Sequence, residues 1–279
     1  LFYTAITLVI YYCIKIIKQT HTTKQCFIIH SKIIEIMARV TKNNFLSGTI
    51  NNLVFRNLNG VQVVQSKASK VRQTQKTKAS GNEFRACSTW AKLLRQNLSS
   101  FLLHQTDSYM YRRLTGELYN ALLSNTNLNK GERTPTNCST TGLNGFEFNS
   151  HSLFKDYFLV DVQAGLNAQR QVVFNIPEMN CKQDMLFPKR YNNAELLLYC
   201  IAFLPENNTT VAEAYTMIEL SNTATVMPPF SWTSPVFPEG CWVIAVAKLM
   251  YYTSDKFINK NYLNSKVFNP ATLLLSAHS

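Results

Sequence analysis

Three histidines beyond the first 36 residues are the side chains best suited to acid–base chemistry near neutral pH. They are His104, His151 and His278, and none belongs to an H-E-x-x-H or G-x-S-x-G motif. Asp156 and Asp161 could act as paired carboxylates, but no second acidic cluster lies near them in the sequence. None of the nine glycines forms a G-x-G-x-x-G phosphate loop. The sequence therefore predicts a non-catalytic protein without a small-molecule substrate.

The seven cysteines indicate neither a metal site nor a disulfide framework. They include no C-x-x-C pair and have no histidine nearby at the spacing of zinc ligands. Their odd number and irregular spacing fit a reducing compartment, so we expect reduced thiols and a cytoplasmic location. Cys200 and Cys241 are interpreted as small core residues. We expect no metal and no cofactor.

The distribution of charge is the feature that points to a class of ligand. The chain has a formal net charge of +12, yet residues 151–279 carry nine basic and ten acidic residues, a net charge of −1. Residues 37–80 contain no Asp or Glu and hold eight basic side chains: Arg39, Lys42, Arg56, Lys67, Lys70, Arg72, Lys76 and Lys78. Such a run can bind nucleic acid or another polyanion by displacing counterions from phosphates. A solvated charged face or a protein-docking arm explains the same pattern, and the choice stays open.

The first 36 residues differ in character from the rest. The chain opens at Leu1, and its first methionine is Met37, which suggests that residues 1–36 are upstream sequence or a disordered leader. The alternative is a membrane anchor over Leu1–Ile17. A spanning helix needs about 20 apolar residues, and Lys15 interrupts this run. This argument predicts no membrane association, unless residues 1–36 are a genuine anchor.

The elements that carry the basic residues are predicted from local patterns. In residues 37–80, strand-forming residues flank Asn59-Gly60, which favours a β-hairpin over Thr49–Gln65 followed by a polar linker. Ser80 and Glu83 have the spacing of a capping box and predict the start of a helix. A second helix starting near Asp107 completes a helical hairpin over 81–125. Its apolar positions recur every three or four residues: Phe84, Cys87, Ala91, Leu94, Leu98, Phe101, Leu102, Met110, Leu114, Leu118 and Leu122.

Residues 126–145 are predicted to be a linker loop, and residues 146–279 an all-β domain. Short strands separated by turn residues are typical of a β-sandwich, here expected to be Ig-like. The predicted fold is therefore α+β, with an N-terminal β-hairpin and a helical hairpin before the sandwich. The predicted strands are Tyr157–Gln163, Gln171–Ile176, Glu195–Phe203, Ala214–Leu220, Cys241–Met250 and one near Leu273–Leu275.

A proline-rich aromatic segment precedes the Cys241–Met250 strand. If Phe230, Trp232 and Phe237 are exposed on this loop, they form a surface for a protein partner or a glycan. The other interpretation is that they close one end of the sandwich. A surface protein with a genuine anchor and a glycan-binding loop is a third possible class, after the interaction module and the nucleic-acid binder.

Residues 37–105 also resemble a known pattern. The matching residues are Met37-Ala38-Arg39, Phe45, Gly48, Asn52-Leu53-Val54, Gly60, Val63-Val64, the basic linker and the helix from Glu83. This order resembles the N-terminus of a family of uncharacterised Bacteroidetes proteins, a domain of unknown function. Similar N-termini occur in phage-like or mobile-element proteins, which implies a bacterial structural or assembly role. The resemblance implies no catalytic residues. The expected function is a structural or protein-interaction module, with nucleic-acid binding through residues 39–78 as the alternative.

Overall fold

The computed structural model describes residues 38–69, 72–204, 209–223, 226–254 and 259–279. The chain divides into two compact units, Leu1–Arg72 and Gln73–Ser279. We call residues 38–69 the arm and the second unit the body. The fold is a mixture of helices and strands, dominated by antiparallel sheets, which confirms the predicted class at this level. The hypotheses about residues 1–36 lie outside the described residues.

The arm is an antiparallel sheet of four strands in chain order. The predicted hairpin is confirmed: Asn59 and Gly60 form its turn with φ of 52° and 85°, as a tight two-residue turn requires. The Gln62 carboxamide bonds both the backbone N–H and C=O of Leu46, at 2.7 and 3.1 Å, and so links the hairpin to a strand that the prediction missed. The four strands are Arg39–Val40 (β1), Leu46–Ile50 (β2), Leu53–Leu58 (β3) and Val61–Ser66 (β4).

The first helix of the body begins earlier than the capping-box pattern predicts. Helix α1 spans Gln75–Asn97, and its N-cap is Thr74, whose hydroxyl accepts the Thr77 N–H at 3.2 Å. The Ser80 hydroxyl instead donates to the Lys76 carbonyl inside the helix. The remaining helices are α2 (Met110–Leu123), α3 (Phe154–Tyr157) and α4 (Cys181–Asp184), with a 3-10 turn at Thr141–Leu143. Among the described helices, none combines the length and apolar character that a membrane crossing requires.

The predicted helical faces are confirmed with one exception. Every predicted apolar position from Cys87 to Leu122 is buried. Phe84 is 48% exposed, and its ring meets the edge of the Tyr119 ring at 5.6 Å. The second helix begins at Met110, three residues after the predicted start at Asp107, and its N-cap is Tyr109. The Asp107 carboxylate accepts the Tyr109 N–H at 2.8 Å in the turn before the helix.

The strands of the body agree with most of the predicted segments. Tyr157–Gln163 is the exception, because helix α3 ends at Tyr157 and the strand begins only at Gln163. The strands are Gln163–Leu166 (β5), Val172–Ile176 (β6), Met179–Asn180 (β7), Asn193–Leu204 (β8), Thr209–Ser221 (β9), Val226–Met227 (β10), Phe230–Thr233 (β11), Trp242–Ser254 (β12), Lys260–Tyr262 (β13) and Ala271–His278 (β14).

One five-stranded sheet organises the body. Strand β12 pairs with β8 on one side and with both β13 and β14 on the other, and β9 pairs with β8 at the edge. Side chains alternate between the two faces of a strand. On one face, Phe203, Trp242 and Ile244 pack with the buried side of α1 and α2. On the other, Cys200 and Val243 pack with Phe174 of a three-stranded sheet, ordered β11-β6-β5.

The helical hairpin is therefore part of the same core as the strands. The predicted linker over 126–145 does not separate two cores, because Cys138 and Leu143 within it are buried in the cluster that joins helices and sheet. The Trp90 ring of α1 lies 4.6 Å from the Trp242 ring of β12. Layered packing of helices on one sheet face and a second sheet on the other explains why β8 and β12 are apolar on both faces.

Candidate interaction surfaces

The described residues of the arm include no buried side chain. All of residues 38–69 are exposed or half-buried, although a stable sheet ordinarily needs an apolar face covered by another layer. Large apolar side chains lie open on all four strands or at their ends. They are Val40, Ile50, Leu53, Leu58, Val61 and Val64, each between 44% and 66% exposed. Together they make the arm a surface suited to burial by a partner.

Basic and apolar side chains share one face of the arm. Arg39 pairs with Ser47, and Arg56 pairs with Val63. The registers of β1, β2 and β3 place Arg39 and Arg56 on the same face, two strands apart, or about 10 Å. Both guanidinium groups are exposed, and no ion pair to either is found among the described residues.

The eight predicted polyanion-binding residues do not all belong to the arm. Arg39, Lys42, Arg56 and Lys67 lie in the arm and are exposed. Arg72 lies between β4 and α1, while Lys76 and Lys78 lie in the first turns of α1, and all three are exposed. Lys70 lies outside the described residues. The structure thus carries four residues of the predicted set in the arm and two, Lys76 and Lys78, in the body.

The predicted aromatic partner surface contributes mainly to the core. Phe237 is 1% exposed and so offers no surface to a partner, which corrects the expectation for this residue. Phe230 and Trp232 are half-buried in β11 and pack against the core. The Trp232 ring lies 5.7 Å from the Phe174 ring on the neighbouring strand. Strand pairing of β11 with β6 turns these aromatics inward, an effect that their sequence pattern does not reveal.

Strand β9 forms a second exposed surface, which the sequence analysis did not identify. It lies at the edge of the five-stranded sheet, and no described strand pairs with its outer side. The two helices α1 and α2 pack on one face of this sheet. On that same face, four side chains of β9 are exposed: Glu213, Tyr215, Met217 and Glu219. We call these four residues the β9 face. The strand was largely predicted, but its exposure depends on strand order, which the sequence does not show.

Polar contacts hold the β9 face against the rest of the sheet. The Tyr199 hydroxyl donates to Glu213 at 2.6 Å, and burial together with this hydrogen bond raises the pKa of Tyr199. The Lys260 ammonium donates to Glu219 at 2.8 Å and to the buried Glu195. These two carboxylates raise the pKa of Lys260. The β9 face is thus fixed in place, and Glu213 has no ion-pair partner among the described residues.

The Tyr262 hydroxyl completes this ion-pair cluster. It donates to Glu195 at 2.9 Å. Burial raises the pKa of Tyr262 to about 12, and the hydrogen bond to Glu195 adds to the rise. Strand β13 is therefore tied across β12 to β8 and β9. We interpret this cluster as structural, because each of its charged groups already has a partner of opposite charge.

A buried lysine lies on the same face of the sheet, under the end of α1. Lys248 is 1% exposed, and its ammonium donates to the Phe101 carbonyl and lies 4.9 Å from the centre of the Phe101 ring. Burial lowers the pKa of Lys248 to about 8. The neighbouring Asn269 amide donates to the Leu102 and Gln105 carbonyls at 3.0 and 2.7 Å. Both side chains satisfy carbonyls of the turn after α1, which is a structural role.

A cleft of about 390 Å³ lies between α2 and residues 142–147. Its one basic side chain, Arg113, already binds the Asp107 carboxylate at 2.6 Å and the Glu147 carbonyl at 2.8 Å. Burial alone would raise the pKa of Asp107, but hydrogen bonds from the Ser150 N–H, Arg113 and the Tyr109 N–H outweigh burial and lower it. These contacts fasten the loop to α2.

The side chains with catalytic potential are dispersed. His104 contacts the Ser99 hydroxyl at 2.7 Å, whereas His278 donates to the Pro135 carbonyl at 3.0 Å. The five cysteines of the described residues are buried and unbridged. Burial raises the pKa of Cys87 and of Cys200 to about 12, which disfavours the reactive thiolate. Within the described ranges, no group of three or more His, Cys, Asp or Glu side chains could hold a metal ion.

Comparisons of the chain with models of known protein families, with curated proteins and with solved structures find no match. Functional inference therefore depends on the two surfaces of the molecule itself. The arm combines positive charge with uncovered apolar side chains, and the β9 face combines negative charge with exposed Tyr215 and Met217.

Proposed function

We propose that this protein is a non-catalytic structural or interaction module that binds a protein partner through the sheet of its arm. The observation that carries this proposal is the absence of any buried side chain among residues 38–69, although they form four paired strands. A small sheet without a covered face is at best marginally stable in water. A partner that covers one face would stabilise the sheet and bury side chains such as Leu58 and Val61.

The body has a hydrophobic core of its own. Its two hydrophobic clusters contain residues from Cys87 to Leu275 and none from the arm. The Ig-like form of the sandwich stays a prediction, which the shared core of its two antiparallel sheets supports. A cytoplasmic location also stays a prediction, supported by the unbridged cysteines. A bacterial assembly role, as the sequence resemblance implies, fits a module with an extended contact surface.

Site-specific photocrosslinking in the source cells tests the proposal. A photoreactive phenylalanine analogue replaces Leu58 of the arm, and in the control it replaces Leu159 of the body, which is exposed to a similar extent, 61% against 58%. We expect a discrete protein adduct from position 58 and none from position 159. Equal labelling at both positions, or no protein adduct from the arm, would contradict the proposal.

Polyanion binding is the second candidate function. The observation that favours it is that seven of the eight predicted basic residues are described and exposed, and none has an ion-pair partner within the described residues. Each phosphate contact contributes about −0.9 to the slope of log affinity against log salt concentration. The polyanion would follow the arm, because four basic side chains are carried on that small sheet.

Fluorescence anisotropy with labelled duplex and single-stranded DNA tests this second candidate. Neutralising three basic residues of the arm should make the salt slope shallower by about 3. Neutralising three exposed lysines of the body should leave the slope unchanged. Absence of binding at low salt would remove this candidate. The arm variant carries Arg39→Gln, Arg56→Gln and Lys67→Gln, and the control carries Lys155→Gln, Lys182→Gln and Lys189→Gln.

A further inference from the structure

We propose that the partner of the arm is a second copy of this chain, and that the arm binds the β9 face and the open outer edge of β9. This inference rests on the proposed function, since it names the protein that the arm binds. Three observations carry it: an unpaired strand edge on each surface, exposed apolar side chains on both, and opposite charge.

The outer edge of β9 is long, and no described strand lies beside it. The strand has 13 residues, about 43 Å at about 3.3 Å per residue. Its outer N–H and C=O groups can pair with another strand, and natural proteins usually shield such an edge with lysine, proline or a covering element. β9 contains neither lysine nor proline. No described strand covers its outer side, so a strand from another molecule can extend the sheet there.

Exposed apolar side chains accompany this edge. Helices α1 and α2 cover the part of the sheet around Phe203 and Trp242. Asn97 at the end of α1 contacts Thr210 of β9, but the four side chains of the β9 face are exposed. Tyr215 is 68% exposed and Met217 is 47% exposed. A strand added beside β9 would place apolar neighbours next to them and reduce their exposure.

The arm offers the matching strand. Strand β4 pairs with β3 on one side, and no described strand pairs with its outer side. Its Val61 and Val64 side chains are 63% and 50% exposed. Six residues of β4 can therefore add to the outer edge of β9 through backbone hydrogen bonds, so that one face of the arm continues the β9 face in a single sheet. Both surfaces lose exposed apolar area in the same contact.

The charges of the two surfaces are complementary. Residues 38–69 hold four basic and no acidic side chains. On β9, Lys260 already pairs with Glu219, and Glu213 has no ion-pair partner among the described residues. Two copies of the arm would repel each other, whereas pairing of an arm with β9 brings its basic side chains near Glu213.

The contact joins two different surfaces, so it is heterologous. Each copy has one arm and one β9 edge, and the assembly closes as an arm-exchanged dimer or ring or grows as an open chain. The structure assigns the two surfaces and leaves the number of copies to experiment. Salt should weaken the association, because the charges at its rim are solvent-exposed.

Sedimentation velocity of the full chain over a wide concentration range is the test. The arm variant is Val64→Glu, the β9 variant is Tyr215→Glu, and Leu159→Glu is the control at an exposed body residue. We expect wild type and control to gain mass with concentration. Each interface variant should associate at least about tenfold more weakly. Circular dichroism should show that all variants are folded, because the three replaced side chains are half or more exposed.

Mixing the two interface variants gives the sharper result. The mixture retains one intact arm and one intact β9 edge, on different copies, so it should form a one-to-one dimer and nothing larger. Loss of association in the β9 variant alone indicates β9–β9 pairing, and loss in the arm variant alone indicates arm–arm pairing. Either result overturns the inference, as does a monomer at every concentration. A monomer that still gives an arm-specific adduct to a different protein overturns the inference and leaves the proposed function standing.

Discussion

The arm and the body are both built mainly from antiparallel strands, yet they bury their side chains very differently. The arm pairs four strands and buries none of its described side chains. The body places helices on one face of its five-stranded sheet and a second sheet on the other, so that β12 is buried on both faces from Trp242 to Leu249.

Backbone pairing and layer packing are thus separable in this molecule. Strand hydrogen bonds form in both regions, but the free energy of a folded sheet comes mainly from the apolar area that a covering layer removes from water. The body contains its own layers. The arm has paired strands, but no side chain of residues 38–69 is buried by a layer, and this difference is the physical reason for proposing that the arm binds a partner.

The largest expected effect is a loss of stability when a large side chain is removed from the core of the body. Trp242 is 0% exposed, packs between the Trp90 and Phe203 rings, and donates from its indole N–H to the Ser276 hydroxyl at 2.9 Å. Trp242→Ala should lower the free energy of unfolding by about 4 kcal/mol. Leu58→Ala in the arm should change it by less than about 0.5 kcal/mol. Urea unfolding followed by circular dichroism measures both, and similar losses would contradict the contrast between the regions.

Burial in the body also predicts a dependence of stability on pH. The pKa of Lys248 falls from 10.5 to about 8 on folding. Between these values the unfolded chain binds more protons than the folded one, so the free energy of unfolding rises with pH. Below pH 8 both states are protonated and the full penalty remains. The rise should total roughly 3 kcal/mol between pH 8 and pH 10.5.

The variant Lys248→Met isolates this effect from other groups that titrate in the same range. Its free energy of unfolding should lack the Lys248 contribution, so the difference from wild type should change by roughly 3 kcal/mol from pH 8 to pH 10.5. Equal pH dependence in the two proteins would show that Lys248 is not desolvated by folding.

Local sequence patterns predicted the hairpin of the arm and the apolar faces of the helices. Features that depend on contacts between distant residues could not be predicted in this way. The Asn59-Gly60 turn and the apolar period from Cys87 to Leu122 depend on neighbours in sequence, so the hairpin and the helical faces could be predicted. The helix start was misplaced because the Ser80–Glu83 spacing imitates a cap. Glu83 instead accepts from the Arg133 guanidinium at 3.0 Å, a partner 50 residues away that no local pattern shows.

The candidate surfaces show the same division between local and distant information. The basic composition of the arm is visible in the sequence, but the absence of a covering layer is visible only in three dimensions. The β9 face depends on strand order, and the inward position of Phe237 depends on the path of the chain after β11, where its N–H donates to the Arg170 carbonyl at 2.9 Å. A surface that is exposed because no other element covers it is the hardest kind to predict from sequence.

The smallest expected effect concerns the turn that shapes the arm. Gly60 has φ of +85°, a conformation that costs other residues about 1 kcal/mol, although no atom would contact an added Cβ. Gly165 of β5 is the matched control, since it also has open space and its φ is not positive. Gly60→Ala should speed hydrogen exchange of the β3 and β4 amides about fivefold, or roughly 1 kcal/mol, and leave the body unchanged.

Gly165→Ala should leave exchange in the arm unaffected and change the body by less than about 0.5 kcal/mol. If Gly60→Ala sped exchange in the body as well, the two units would share stability and the arm would not be an independent sheet. If a bound partner restored hydrogen-exchange protection to the arm of the Gly60→Ala variant, that partner would be identified as the layer that covers the arm. The arm would then gain its stability from binding, whereas the body gains its stability from its own core.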